Sequence, residues 1–408
     1  MGIALKTNRV IAGVVLITIL FLSAYIFYPR EEPVDVNQAF SGEVQIGVIS
    51  PTDADLPKYV YMAELAESDI NSYCIESGYN ISFKFLTFSA NGMAASALEI
   101  TQNLHNTGVD LVVGGGWSSQ LCVMRSYVND NEILVISPSS TNPQEHSLQN
   151  DYIYRLCNHD FMTGEVMAEV VESLGLERVL IIERGDCWAE GVGNWFSRAY
   201  SGDVIGRVRY AAEISTFNEV LDEAGSYLGD EVVGSRVGVF LIAFKETNNI
   251  LAQLIHYPKL SNVTWLGAEP IVLTLDPAGL ESIIENIRLI SPLILPFPSD
   301  RLDTIAEDYQ AEIDDVLDFY DASIYDSCMV LGHSVIAAES VNACLVRGVL
   351  PGVAEDYTGL TGPCGLDVNG DRQVFQMGLH DLSLEPIPRW DYIGCYDSNT
   401  GLVSWEDI

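Results

Sequence analysis

The stretch Leu111 to Pro143, LVVGGGWSSQLCVMRSYVNDNEILVISPSSTNP, constrains this chain more than any other. Leu111 to Val113 is a short apolar run that reads as a strand. Gly114-Gly115-Gly116 turns the chain, and Trp117-Ser118-Ser119 opens a helical run to Asn131. Ile133 to Ile136 is a second apolar strand, ending in Ser137-Pro138-Ser139-Ser140-Thr141. Strand, small-residue turn, helix, strand, small-residue turn is a βαβ unit, and such a unit commits its chain to a parallel sheet covered by helices. Ligands of these sheets bind beyond the carboxyl ends of the strands. Both turns lie at that edge. Backbone N–H groups at a helix start favour an anion, and serine and threonine hydroxyls add uncharged donors and acceptors. Helix capping by Ser118 or Ser139 would explain one such turn. Two in succession on one edge argue for a small anion or carboxylate site.

The same alternation runs through most of the chain. Val44 to Ile49 reads as a strand, Tyr59 to Ser77 as a helix with Met62, Leu65, Ala66 and Ile70 at helical spacing, and Ile81 to Phe88 as a strand. A helix over 92–106 leads into the stretch above. Further helices are expected at Gly164 to Leu174, Glu190 to Tyr200 and Thr247 to His256. Strands are expected at Arg178 to Ile182, Val237 to Ile242 and Thr264 to Gly267. Leu289 to Pro298, apolar and proline-rich, reads as a crossover. Helices at Thr304 to Leu317 and Tyr325 to Ser340 follow, then a β-like, turn-rich end at Tyr357 to Leu366 and Trp390 to Tyr396. The expected fold class is α/β, with two doubly wound parallel-sheet lobes.

Before this body, Lys6 and Arg9 precede a run from Val10 to Tyr28 without a charge, closed by Arg30-Glu31-Glu32-Pro33. The run is close to the roughly 20 residues that span a bilayer. Its flanking charge places the N-terminus inside and the body outside. Residues 1–30 are thus expected to be a single transmembrane signal-anchor, or a signal peptide cut near Ser23-Ala24, and 31–42 a polar tether. The body would sit outside the cytoplasm, on the cell membrane or secreted. A net charge of −37 argues against nucleic acid, which requires a basic footprint. The eight cysteines suggest disulfides in an exported body, with Cys364 and Cys395 as a plausible local pair. Asn80-Ile81-Ser82 and Asn262-Val263-Thr264 are glycosylation sequons.

Catalytic patterns are missing from the sequence. It has no G-x-S-x-G elbow, no Walker loop and no G-x-G-x-x-G after a strand, and the six histidines show no ligand spacing. Asp367-Val368-Asn369-Gly370-Asp371 fails the EF-hand pattern and reads as a tight turn. Asp318, Tyr320 and Asp321 read as a solvated helix face. The expectation is a binding protein, not an enzyme, with no cofactor or metal.

Several motifs occur in the order found in one family. They are Gly114 to Ser119 after a strand, Ile136-Ser137-Pro138-Ser139-Ser140-Thr141-Asn142-Pro143, Trp188 to Gly191, Tyr325-Asp326, and Gly362-Pro363 followed by Asp367 to Arg372 and Trp390 to Tyr396. From Val44 to Trp405 the chain resembles the type 1 periplasmic binding proteins, in particular the branched-chain amino-acid (Leu/Ile/Val) receptors of ABC transporters. The resemblance implies two lobes joined by three crossovers, 43–158 plus 293–357 and 159–292 plus 358–408, with ligand in the cleft. It implies that Ser118, Ser139 and Thr141 hold a ligand carboxylate, that Ser140 beside them is a ligand-binding residue, and that Glu269 receives an ammonium. Trp117, Trp188 and Phe244 would wall the pocket. Trp117 is bulkier than the family's usual residue, which implies a reshaped pocket, and relatives with this fold bind amides, urea or aromatic acids. The implied function is an extracytoplasmic solute-binding protein that delivers a small amino acid or related compound to an ABC permease. The alternatives are a ligand-sensing ectodomain acting through a membrane signalling partner, or a receptor for amides, urea or aromatic acids.

Overall fold

The computed structural model describes residues 40–142, 151–229, 236–384, 387–397 and 402–406. The expected transmembrane or signal segment, all but the end of the tether, and Pro143 lie outside the described residues. Among the described residues no single helix is long and apolar enough to cross a membrane.

Strands and helices alternate from the start: β1 (Gly42–Ser50), α1 (Leu56–Ser77), β2 (Ile81–Ser89), α2 (Ala94–Asn106), β3 (Leu111–Val113), α3 (Ser118–Asp130), β4 (Leu134–Ser137) and β5 (Ile153–Arg155). They build a five-stranded sheet in the order β2-β1-β3-β4-β5 with parallel pairings. The expected βαβ unit is β3–α3–β4. Every residue of β3 and β4 is buried, as continuous apolar strands covered on both faces must be. β2 is the outer strand on one side, and α1 caps its open backbone. Asn71 donates to the Phe83 carbonyl at 3.0 Å and accepts from the Phe83 N–H at 2.7 Å, and Glu67 accepts from the Phe85 N–H at 2.9 Å.

The chain then changes sheet. It continues through α4 (Asp160–Ser173), β6 (Arg178–Arg184), α5 (Cys187–Ala199), β7 (Asp203–Tyr210), α6 (Asn218–Tyr227), β8 (Val237–Ile242) and α7 (Thr247–Gln253). β9 (Thr264–Gly267), α8 (Pro270–Thr274), α9 (Glu281–Ile284) and β10 (Arg288–Leu295) follow. It next returns to the first half with α10 (Asp300–Ile313), α11 (Phe319–Ala338) and α12 (Ala343–Asp356). There α11 packs on α1, β3 and β4, and α12 on β4. After the two-residue strands β11 (Thr358–Gly359) and β12 (Gly362–Pro363), the strands β13 (Gln376–Ser383), β14 (Arg389–Asp397) and β15 (Leu402–Trp405) complete an eight-stranded sheet. Its order is β15-β14-β13-β10-β9-β8-β6-β7.

This second sheet is mixed, which corrects the expectation of two purely parallel sheets. Its pairings from β7 to β10 are parallel, while β10–β13, β13–β14 and β14–β15 are antiparallel. The links from β13 to β14 and from β14 to β15 are far too short for a crossover helix, so those strands must run antiparallel. Leu289 to Pro298 is likewise not a simple crossover, because most of it is β10, a central strand. Proline is tolerated there for a geometric reason. The Ile294 N–H reaches Glu269, so the N–H positions of residues 290, 292 and 294 face the β9 side. Pairing with β9 ends at Ile290. Pro292 lies just beyond the last residue paired with β9, where its missing N–H ends the ladder and does not interrupt it.

Three crossings between the halves meet in a buried polar bracket. Arg155, just after β5, donates from Nε to Asp371 Oδ1 at 2.5 Å and from Nη1 to the Asn142 carbonyl at 2.8 Å. Arg372 donates to the Leu156 and Thr361 carbonyls, each at 3.1 Å. The Thr361 carbonyl also accepts from Phe297 N–H, just beyond β10, at 3.3 Å. Asp326 on α11 accepts the N–H groups of Leu360 and Thr361 at 2.7 and 2.9 Å. Gly42–Ile408 forms one compact unit.

Candidate functional site

The two hydroxyl-rich turns beyond β3 and β4 are sewn together. Ser137 Oγ donates to the Gly115 carbonyl at 3.0 Å and Ser139 Oγ to the Gly116 carbonyl at 2.9 Å. Ser118, the first residue of α3, accepts from Ser140 Oγ and from the Asn142 N–H, both at 3.3 Å. The glycines are required here. Gly115 has φ 67°, a left-handed conformation that glycine adopts without strain. A Cβ on Gly116 would lie 2.7 Å from the Tyr59 hydroxyl and 3.1 Å from Ser139 Oγ. Tyr59, buried in the first turn of α1, hydrogen-bonds Ser139. Ser139 has given its proton to the Gly116 carbonyl, so Tyr59 is the donor.

Across from these turns stand groups of the second half. Asp160, the first residue of α4, donates its N–H to the Thr141 carbonyl at 2.6 Å and accepts the Thr141 hydroxyl at 2.5 Å. Burial pushes the Asp160 carboxyl up to about 6, against the pull of the Thr141 bond. Trp188 also bonds Asp160 and packs against Phe244, with ring centroids 4.4 Å apart. The Arg184 guanidinium lies over the Phe244 ring, 5.2 Å from its centroid.

Glu269 follows β9 and is 1% exposed. Its Oε1 accepts the Ile294 N–H at 2.9 Å and its Oε2 the Asn158 amide at 3.5 Å, and the Tyr320 hydroxyl is a third donor. All three are neutral. Burial raises the carboxyl to about 7, the Ile294 bond opposes the rise, and the charge of Asp160 adds to it. Beside it, Asn158 Oδ1 is buried and accepts no hydrogen bond from any described residue. Burying a polar acceptor without a partner is costly, so this atom marks a place where a ligand donor would be favoured.

The arrangement brings together Ser118, Ser139, Ser140 and Thr141 on one side, and Trp188, Phe244 and Glu269 on the other. The hydroxyl of Thr141 is turned to Asp160 and not to open space. Trp117 departs from the expected pocket wall. It is 42% exposed, and its ring reaches toward the Gly92 turn. Tyr59, Asn158, Asp160 and Tyr320 belong to the arrangement and escaped the sequence reading. A signal for Tyr320 existed: Asp318 stands three residues before Asp321, as an N-cap should. Asp318 does cap α11, accepting the Asp321 N–H at 2.8 Å. This cluster is not a solvated face. Asp321 is buried, accepting from Tyr309 at 2.7 Å and from Lys58 at 3.2 Å, and this packing turns Tyr320 toward Glu269.

All eight cysteines are thiols. The expected Cys364–Cys395 pair is not formed. Cys364 is buried beside Asp326 and the Gly362 carbonyl, whereas Cys395 on β14 contacts Ser404 at 3.2 Å. Asp367 to Asp371 is a tight turn, in which Asp367 Oδ1 accepts the N–H groups of Asn369 and Asp371 at 2.8 and 2.9 Å.

Two α/β halves, crossed three times and facing each other at their strand ends, define the type 1 periplasmic binding-protein fold. A leucine-binding protein of Thermotoga maritima superposes with a TM-score of 0.68 at 17% identity, covering 88% of this chain and 99% of its own. A solute-binding protein of an ABC transporter from R. palustris, in complex with benzoate, gives a TM-score of 0.68 at 13% identity, covering 90% and 98%. The chain belongs to the receptor family ligand binding region, whose profile matches residues 62–383. An uncharacterized protein of Methanocaldococcus jannaschii is 23% identical over 97% of this chain and 99% of its own length.

Proposed function

We propose that this chain is an extracytoplasmic solute-binding protein that takes an amino acid, or a related compound with a cationic nitrogen, between its two halves. It then delivers that ligand to an ABC-type permease. The halves, 43–158 plus 293–357 and 159–292 plus 358–408, act as lobes that close on the ligand. Closure is driven by the ligand's higher affinity for the closed form. Residues 1–30 hold the body to the outer face of the membrane.

The observation that carries this reading is the acceptor pair Glu269 and Asn158. Among the described residues, one is a buried carboxyl met by neutral donors, and the other is a buried amide oxygen without a partner. An ammonium group supplies charge-assisted donors to both, and such hydrogen bonds are about twice as strong as neutral ones. The hydroxyls and N–H groups of Ser118, Ser139, Ser140 and Thr141 suit the other end of a zwitterion, once ligand replaces some of their mutual bonds. A second reading rests on Trp188 and Phe244, whose packed rings suit an aromatic acid like the benzoate in the R. palustris complex.

A thermal-shift screen of residues 42–408 against amino acids, amides, urea and aromatic acids separates the two. Ligand at 100 times Kd adds about 2.7 kcal/mol of stability. The expected result is stabilisation by an α-amino acid that Glu269→Gln abolishes. Stabilisation only by compounds without an ammonium would reject the role given to Glu269.

A further inference from the structure

Cys122 and Cys187 come from opposite halves of the molecule. Cys122 lies one turn into α3, on the five-stranded half, and Cys187 is the first residue of α5, on the eight-stranded half. The two helices touch. The Cys187 thiol is within hydrogen-bonding reach of Cys122 and of Asn142. Cys122 is exposed and Cys187 partly so, whereas Cys74, Cys157, Cys328 and Cys364 are buried. Buried thiols behave as small apolar side chains. Cys344 and Cys395 share that access, but Cys122 and Cys187 are set apart by position, one on each side of the contact between α3 and α5, and neither belongs to the acceptor site around Glu269.

We propose that Cys122 and Cys187 are a redox-operated clasp, a reversible disulfide that fastens the two halves in the arrangement where α3 meets α5. The oxidant is a low-molecular-weight disulfide. The exposed Cys122 thiolate attacks one of its sulfurs, the S–S bond of the oxidant breaks, and the first small thiol leaves. The Cys187 thiolate then displaces the second small thiol from the mixed disulfide. Two protein thiols become one disulfide, the oxidant is reduced to two thiols, and those thiols carry away the two protons. The sulfurs need only close from hydrogen-bonding reach to a bond of about 2.05 Å. The clasped protein holds its halves together whether or not solute is bound, so the inference stands apart from the identity of the ligand.

The test is to treat the full chain with oxidised glutathione and then reverse the treatment with dithiothreitol. Peptide mapping should find Cys122 linked to Cys187 after oxidation and separate after reduction. Amide hydrogen exchange in the turns 114–118 and 139–142 should slow at least tenfold on oxidation and recover on reduction. Cys122→Ser and Cys187→Ser should each remove both effects, and the wild-type cycle carries the test by itself if a variant misfolds. Glutathione adducts on Cys122 without the linked peptide would overturn the proposal. So would a linked peptide with unchanged exchange in both turns, because the bond would then fasten nothing.

Discussion

The carboxyl groups of Glu269 and Asp160 have lost their water, and the consequences are measurable. Burial raises them from ordinary values of 4.5 and 3.8 to about 7 and about 6. Below the ordinary values both groups are protonated, folded or unfolded, and pH has no leverage through them. As pH rises, the unfolded chain releases these protons before the folded chain does. The contribution to stability is therefore lost from the ordinary values upward, and the loss is complete once pH passes about 7. An ammonium ligand reverses the balance, since it requires the ionised carboxylate. Affinity for such a ligand should rise with pH through the interval from about 6 to about 7, and Glu269→Gln should flatten most of that dependence. Calorimetric titrations across this interval check the slope. At this scale the hydroxyl-rich turns that carry Ser118, Ser139 and Thr141 were legible as turns at the ends of β3 and β4, and the part these residues take in binding rests on the proposal above. Tyr59, Asn158 and Asp160 were not. They lie in separate segments that only the folding of both halves brings to one place.

Among the elements, β2 and α1 show how an edge is protected. Asn71 both donates to and accepts from Phe83, replacing the strand that would otherwise pair there. Asn71→Ala leaves a backbone donor and acceptor on an edge strand without these partners. The expected cost is about 1–3 kcal/mol, read as a lower urea midpoint, together with a greater tendency to aggregate through the opened edge. Elements with strong periodicity, such as β1, α1 and the β3–α3–β4 unit, could be read from sequence. β7 could not, because most of its residues are exposed or half-exposed and its sequence, DVIGRVRY, gives no continuous apolar signal. β10 was obscured by its prolines. Pro292 falls where pairing with β9 has ended, and that fact belongs to a neighbouring strand.

For the molecule as a whole, the crossings between the halves are the parts most dependent on one another. Arg155 and Asp371 form a buried ion pair, with side chains 2% and 4% exposed. Breaking a buried pair by removing one partner costs about 3–5 kcal/mol, since the remaining charge is left without its partner. Asp371→Asn should destabilise the protein by an amount near that range, with denaturant unfolding as the measure. Arg372, which bonds Leu156 and Thr361 from a neighbouring position, makes the same bracket sensitive at a second point. Asp326, Asp371 and Arg372 fall in short motifs visible in the sequence, but their joining with Arg155 into one bracket was not legible, because Arg155 lies more than 200 positions from Asp371.

The central claim is that Glu269 receives a cationic nitrogen. The most direct measurement is the binding of an amino-acid ligand and of its deaminated analogue, by calorimetry, to the wild-type protein and to Glu269→Gln. The wild type should prefer the amino acid by about 2 kcal/mol or more, in keeping with hydrogen bonds to a charged group, and the variant should lose that preference. The same preference in both proteins would contradict the assignment.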